Sequence, residues 1–208
     1  MLKHTRLQAV TGFADLKLHL SDDIYSVWGA IQKETGESDA PIPYWAFAWG
    51  GGLALASYVL EHPEMVAGRR VLDMASGSGL DAIAAARARA REVVAVDIDP
   101  FSIAAIGLNA RANNVRIDAR REDLLDQDPP AVDVILAGDC WYEERFGIRI
   151  SAWLIRAAAS GIKVLIGDPG RRYLAHDSLR ELATYHVRST TDLEDLGRTT
   201  ANVHEIIV

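Results

Sequence analysis

The stretch Val71-Leu72-Asp73-Met74-Ala75-Ser76-Gly77-Ser78-Gly79 constrains this 208-residue chain more than any other. An apolar run ends in an acid, passes through a turn of small residues and opens into an Ala-rich segment with strong helix propensity. Small residues let a backbone approach a ligand closely, and a helix N-terminus offers free N–H groups to an anion. The segment reads as a strand–turn–helix unit, and the rest of the chain repeats that unit.

Residues 69–73 predict a strand and 80–91 a helix. Residues 92–97 are β-branched and continuously apolar, as a parallel strand covered on both faces should be. A helix over 100–113 carries Pro100 near its first turn. Strands over 132–137 and 162–166 flank a helix over 148–159. Strands alternating with helices of this length imply βαβ units and a mostly parallel sheet. The end breaks the rhythm: 186–190 and 202–208 read as two strands joined by a polar turn around 195–198. A closing antiparallel hairpin on a parallel sheet predicts an α/β, Rossmann-like fold of the class I methyltransferase type, with seven strands. Residues 1–40 read as an N-terminal extension with a strand and a helix over about 22–34, and 41–208 as the main domain. The joint between them is 35–41, and 53–60 predicts an amphipathic helix.

With 49% hydrophobic residues, the chain supports one well-buried core. Asp and Glu outnumber Lys and Arg by 29 to 22, for a net charge of −7. An acidic surface speaks against long contact with phosphate backbones, where binding comes from Lys and Arg. Cys140 is the only cysteine, and the six histidines are scattered without metal-ligand spacing, so no metal site is expected. No apolar run approaches the ~18 residues needed to span a bilayer. The first twenty residues lack a signal-peptide core. The expectation is a cytoplasmic protein, and the Ala/Arg-rich character suggests a bacterial one.

Asp97 ends the strand that follows the glycine turn. There a carboxylate can accept hydrogen bonds from the two hydroxyls of a ribose, whereas Asp99 suits a helix cap. The turn departs from the dinucleotide fingerprint, because Ala82 stands at its third glycine position. Asp73 would repel a pyrophosphate and suits a positive amino group. S-adenosylmethionine has that amino group and no phosphate, so it is the expected cofactor, with Ile98 beside Asp97 in its pocket.

A second cluster, Gly138-Asp139-Cys140-Trp141-Tyr142, follows the strand over 132–137. Ligands of open α/β sheets bind outside the carboxyl ends of the strands, so these side chains should face the reacting group. Asp139 could orient an amine or take its proton, while Trp141 and Tyr142 could wall its alkyl stem. Cys140 reads as a small buried residue. Upstream, Pro43-Tyr44-Trp45-Ala46-Phe47-Ala48-Trp49-Gly50-Gly51-Gly52 places four aromatics ahead of three glycines and reads as a lid, with a packing plug as the alternative.

These segments, together with Asp97-Ile98-Asp99-Pro100 and Leu165-Ile166-Gly167-Asp168-Pro169-Gly170-Arg171, resemble the seven-β-strand protein lysine methyltransferases. Within them the chain is most similar to the electron transfer flavoprotein β-subunit lysine methyltransferases and their bacterial relatives. The resemblance covers about residues 41–208, and the aromatic string, the D-x-x-Y and the GDPGR segment are its specific parts. It implies that Gly77, Gly79 and Asp97 hold the cofactor, that Trp49 covers it, and that Asp139 and Tyr142 form the catalytic pair. Ala75 stands where the family usually has the first glycine of the turn, which is tolerable if its φ is negative. The implied partner is a protein, the flavoprotein β subunit, with room for a second lysine-bearing substrate.

Two other features are read as structural. Asp128-Pro129-Pro130 echoes an amino-directed DNA methyltransferase motif but precedes the strand and lacks the aromatic, so it is a turn. Arg87, Arg89 and Arg91 are spread around a helix. The reading is a protein-lysine methyltransferase. Its rivals are a small-molecule or RNA methyltransferase on the same fold and a non-catalytic cofactor-binding module.

Overall fold

The computed structural model describes residues 3–187 and 200–208. The chain opens with β1 (Arg6–Ala9), β2 (Lys17–Leu20) and α1 (Ile24–Thr35), then α2 (Gly50–Glu61). The alternating core follows as β3 (Arg70–Met74), α3 (Leu80–Arg87), β4 (Glu92–Asp97), α4 (Pro100–Ala112) and β5 (Asp118–Arg121). It continues with β6 (Val134–Gly138), α5 (Glu144–Ala159), β7 (Lys163–Asp168), β8 (Leu179–His186) and β9 (Thr200–Ile206). Seven strands form one sheet in the order β5-β4-β3-β6-β7-β9-β8. The first five of that order run parallel, and β9 enters antiparallel between β7 and β8.

Both faces of the sheet are covered, so alternate residues of each central strand enter different cores. Val71, Val134, Leu136 and Leu165 pack with α2, α3 and Ile106 of α4. Leu72, Ile135, Ala137 and Val164 pack with Ile150, Trp153, Leu154 and Ala157 of α5. The 3–1–3 spacing of those four α5 residues lays one apolar stripe on the sheet.

The first forty residues form a two-stranded hairpin and α1. Asp23 caps α1 by accepting from the Ser26 N–H, and Gly36 closes it in the left-handed region. Two buried asparagines, Asn109 in α4 and Asn113 at its C-terminal cap, fasten β2 to the core. Asn109 accepts from the His19 N–H (2.7 Å) and donates to the Ser78 carbonyl in the glycine turn (2.8 Å), while Asn113 accepts from the Lys17 N–H and donates to its carbonyl.

Several elements differ from the sequence-based expectation: the N-terminal segment holds two strands and not one, and α3 ends at Arg87 and not at 91. The first strand of the closing hairpin runs over Leu179–His186 and not 186–190, and the expected turn around 195–198 lies outside the described residues. The β8 sequence LRELATYH carries a helix former's composition, and pairing with β9 overrides that preference. Strand β5, DARR, is an exposed edge with almost no apolar signal. Helix α2 starts at Gly50 and is buried nearly all round, so it is not amphipathic.

The last difference has a steric cause. Helix α2 lies so close to β6 and β7 that only glycine fits: a Cβ on Gly167 would run into the Gly51 carbonyl oxygen, and one on Gly51 into Gly167. Overpacking typically costs 1–3 kcal/mol, and here the obstacle is backbone. Gly167→Ala should therefore lower the unfolding free energy by about 3 kcal/mol, read by urea titration; a change below about 0.5 kcal/mol would show that the two elements can separate freely.

Candidate active site

The carboxyl ends of β3, β4 and β6 open into a cleft of about 980 Å³, near the top of the usual range for ligand sites, ~300–1,000 Å³. Tyr44 and Trp49, Met74, Ala75 and Gly77, and Asp139, Tyr142, Phe146 and Arg171 all line it.

The aromatic string divides its labour by position. Trp45 is fully buried against α1, and Phe47, though buried with it, joins Tyr44 and Trp49 in lining the cleft. The Trp49 ring is anchored by its Nε1–H, which donates to the Tyr44 carbonyl (2.8 Å). The string is therefore plug and cover at once.

In the glycine turn, Ser76 N–H reaches the Val96 carbonyl across to β4, and Gly77 N–H donates to Asp97 Oδ2 (2.8 Å). The second Asp97 oxygen accepts from the Asp99 N–H (2.9 Å). Burial pushes the Asp97 carboxyl up, opposed by these backbone donors. Asp99 caps α4 through Phe101 N–H, and the exposed Ile98 lines the cleft beside it. Ala75 has φ +52°. The expected negative value is thus corrected: the methyl group sits in the left-handed region, at a cost of roughly 1–2 kcal/mol. The turn's hydrogen bonds to β4 hold it there.

Three of the sequence-selected residues lie outside the cleft lining. Gly79 caps α3 at φ +83°, with Ile106 against its back. Trp141 is buried on the α5 side, its Nε1–H donating to Ser151 Oγ (2.8 Å), because the chain direction after β6 turns that ring away from the cleft. Asp73 is turned inward: its Oδ2 accepts from Ser76 Oγ–H (2.5 Å) and Ala82 N–H (3.1 Å), so it braces the glycine turn on α3. Burial above all pushes its carboxyl up to about 7; the two donors lower it, and the charge of Asp97 makes a smaller upward contribution.

Asp139 has φ +58° and is 8% exposed. Its Oδ2 accepts from the Gly51 N–H, and its Oδ1 from Arg171 Nε (2.6 Å) and Nη2 (2.5 Å). Arg171 is presented by Asp168, whose Oδ1 accepts from the Gly170 and Arg171 N–H groups. Its guanidinium also lies over the Trp49 ring. Tyr142 packs against Tyr44 (4.6 Å between ring centroids) and Phe146 (5.5 Å). Burial pushes its hydroxyl up, which keeps it a hydrogen-bond donor. Cys140 is buried and its thiol is pushed up by burial, so no thiolate forms there.

Sequence reasoning gave no role to Arg171, although the GDPGR segment marked it, and passed over Tyr44 as a partner of Tyr142. It also missed Asp81, a cleft-lining acid in the first turn of α3, whose signal was a lone charge inside the apolar run Leu80 to Ala85.

The family model described as ribosomal protein L11 methyltransferase (PrmA) matches residues 54–138. The electron transfer flavoprotein beta subunit lysine methyltransferase of Xenopus laevis is 40% identical over 209 residues, covering 98% of this chain and 84% of the frog protein. The human protein of the same name is 36% identical over 77% of this chain, which spans 64% of it. Among solved structures, the ribosomal protein L11 methylase of Lactobacillus delbrueckii subsp. bulgaricus superposes with a TM-score of 0.53 at 24% identity, covering 74% of this chain and 77% of that one. The Pyrococcus abyssi tRNA (uracil-54, C5)-methyltransferase, bound to S-adenosylhomocysteine, gives 0.52 at 18%, covering 74% and 38%. These two share the fold, which is that of the class I methyltransferases.

The raised Asp73 carboxyl has a consequence for stability. Asp73 takes up a proton on folding whenever pH lies between the unfolded value near ~3.9 and about 7. Its contribution therefore falls as pH rises through that window. Asp81 and Asp97, also pushed up, act in the same direction, and His204, held below 6.5 by burial, opposes them. The cofactor-free protein should gain Tm from pH 8 to pH 5. Asp73→Asn keeps an acceptor for Ser76 and Ala82 and should flatten part of that gain; parallel Tm curves for the two proteins would remove Asp73 as a titrating group.

Proposed function

The chain belongs to the family of the electron transfer flavoprotein beta subunit lysine methyltransferases, and from that premise we propose that its substrate is an electron transfer flavoprotein β subunit, methylated on lysine ε-amines. It is an S-adenosylmethionine-dependent protein-lysine methyltransferase. The observation that carries the substrate side of the reading is the Asp139 carboxylate, fixed by Gly51 and Arg171 at the head of an aromatic-walled channel.

The residues present fit the cofactor. Asp97 keeps lone pairs for a ribose at the β4 end, the Gly77 turn allows close approach, and Trp49 and Tyr44 offer faces above. When bound, S-adenosylmethionine supplies an electrophilic methyl group on its sulfonium. The protein's task is to hold a lysine amine in line with it. A lysine side chain entering between Tyr44, Tyr142 and Phe146 would bring a cationic or freshly neutral amine toward Asp139, whose charge orients it. The faces of those rings favour a cation and exclude water from the stem.

The rim is of mixed sign. Arg149 pairs with Asp123 and Asp126, Arg121 donates to the Ile98 carbonyl, and Glu122 and Glu143 stand among them. A rim that mixes Glu122, Asp123 and Glu143 with its arginines suits a protein surface better than a phosphate backbone. No helix among the described residues is long and apolar enough to cross a membrane. The relatives that carry the lysine methyltransferase name come from animals, so they lend no support to the bacterial, cytoplasmic setting suggested by composition. A second protein presenting a lysine on an exposed helix or loop would meet the same cleft.

With labelled cofactor and a recombinant flavoprotein β subunit, label should appear on protein, survive nuclease and disappear when the acceptor lysines are changed to arginine. Label lost to nuclease, or running with small metabolites, would overturn the reading.

Asp139→Asn keeps the shape and the tolerance of a left-handed φ but removes the charge. It should lower kcat on the order of 10²-fold, with cofactor affinity changed less than about threefold, as expected of a group that meets the amine and not the adenosine. Unchanged turnover in a folded variant would make Asp139 scaffolding.

A further inference from the structure

Asp81 is the one cleft residue that makes the protein less stable without an evident return. It stands in the first turn of α3 at 6% exposure, flanked by the buried apolar Leu80, Ala82 and Ile83. Its Oδ1 is fully buried and has no hydrogen-bond partner. Its Oδ2 points into the cleft through a gap that glycines keep open: a Cβ on Gly52 would lie 3.5 Å from it, and one on Gly138 would collide with it. An unpartnered buried carboxyl costs a few kcal/mol, and an apolar side chain would remove that penalty.

The groups that face Asp81 are all acidic. Asp73 approaches from β3 and Asp139 from the end of β6, and the Cys140 thiol stands within the same field. The guanidinium of Arg171, a cation that lines the same cleft, makes a two-pronged ion pair with Asp139. Burial, then Asp73 and Asp139, push the Asp81 carboxyl well up, which favours its neutral form in the free protein. A buried acid among acids, open only toward a ligand cleft, calls for a cation from that ligand.

The position selects which cation. Asp97 marks the ribose end of the cleft, above β4, and Asp81 lies across it, between the start of α2 and the end of β6. The part of S-adenosylmethionine beyond its ribose is the methionine half, whose terminus is an amino acid with an α-ammonium. We infer that Asp81 is the counter-anion of that α-ammonium and selects cofactors that retain an intact amino-acid end. Asp73, the acid that sequence alone recommends for this contact, is turned inward on Ser76 and Ala82. The inference rests on the cofactor reading above. It also carries a proton balance: an ammonium beside Asp81 favours the carboxylate, so whatever proton the raised acid holds passes to solvent on binding.

The test is calorimetry with S-adenosylmethionine, S-adenosylhomocysteine and 5′-methylthioadenosine. The last keeps adenosine and sulfur and lacks the amino-acid end. Wild-type protein should bind the first two, release protons as judged from enthalpies in two buffers of different ionisation heat, and bind methylthioadenosine more weakly. Asp81→Asn and Asp81→Ala should each weaken the first two by about tenfold or more, the scale of one lost charge-assisted hydrogen bond. They should abolish most of the proton release and leave methylthioadenosine binding within about twofold, a change below ~0.5 kcal/mol. A variant that binds all three as wild type does would overturn the inference while leaving the cofactor reading intact. Equal loss for all three would make Asp81 a structural residue. Loss confined to S-adenosylmethionine would assign it to the sulfonium and overturn the assignment to the ammonium. If the wild-type protein binds none of the three, the cofactor reading itself fails.

Discussion

The close approach of α2 to the ends of β6 and β7 is the constraint on which the rest of the site depends. Gly51 and Gly167 touch through their backbones, and Gly52 and Gly138 leave the gap beside them. With no side chains between, the first turn of α2 brings a free N–H within reach of Asp139. Helix N-termini favour anions, and this one lies beside the carboxylate that its own packing positions. Trp49 caps the helix by its backbone, so the same turn that grips Asp139 fixes the angle of the indole over the cleft.

Four carboxylates stand in or behind the cleft, and their partners separate their roles. Asp73 is tied to the glycine turn, and Asp97 to that turn and to the cap of α4. Asp139 is held by a guanidinium and a helix N–H. Asp81 has no such partner for its Oδ1. A cluster of this kind is unfavourable in an empty protein, because each charge raises the cost of the next. It becomes favourable when a cationic ligand enters. The local instability of the free cleft and its affinity for a positively charged cofactor are one property, expressed in two states.

The parallel core was legible because burial on both faces leaves a continuous apolar signature. β4 matches its expected bounds, and the glycine turn and the Asp97 position follow from local chemistry. Edge strands were not legible. β5 has no buried face to impose a pattern, and the pairing of β8 is decided by β9, a partner distant in sequence. At the site, identity was readable but direction was not. Trp141 and Tyr142 are neighbours in sequence, yet the backbone leaves β6 through a left-handed Asp139, which sends one ring into the α5 core and the other over the cleft. Spacing alone also could not show that Asp73 would be consumed by its own turn, or that Asp81 would be left facing the ligand.

The arrangement around Asp139 also bears on how its proton chemistry should run. A carboxylate whose Oδ1 takes two donors from Arg171 and whose Oδ2 takes one from Gly51 is surrounded by groups that stabilise the anion. Such a group attracts and orients an ammonium well. The left-handed backbone at Asp139 cannot relax easily, since its N–H donates to the Gly167 carbonyl (2.8 Å) at the glycine contact. In the reaction proposed above, Asp139 would fix the direction of the amine lone pair, and the proton would leave to water. The catalytic effect would then come from alignment within a rigid frame, and the glycines that let α2 approach the sheet are as much a part of it as the acid they hold.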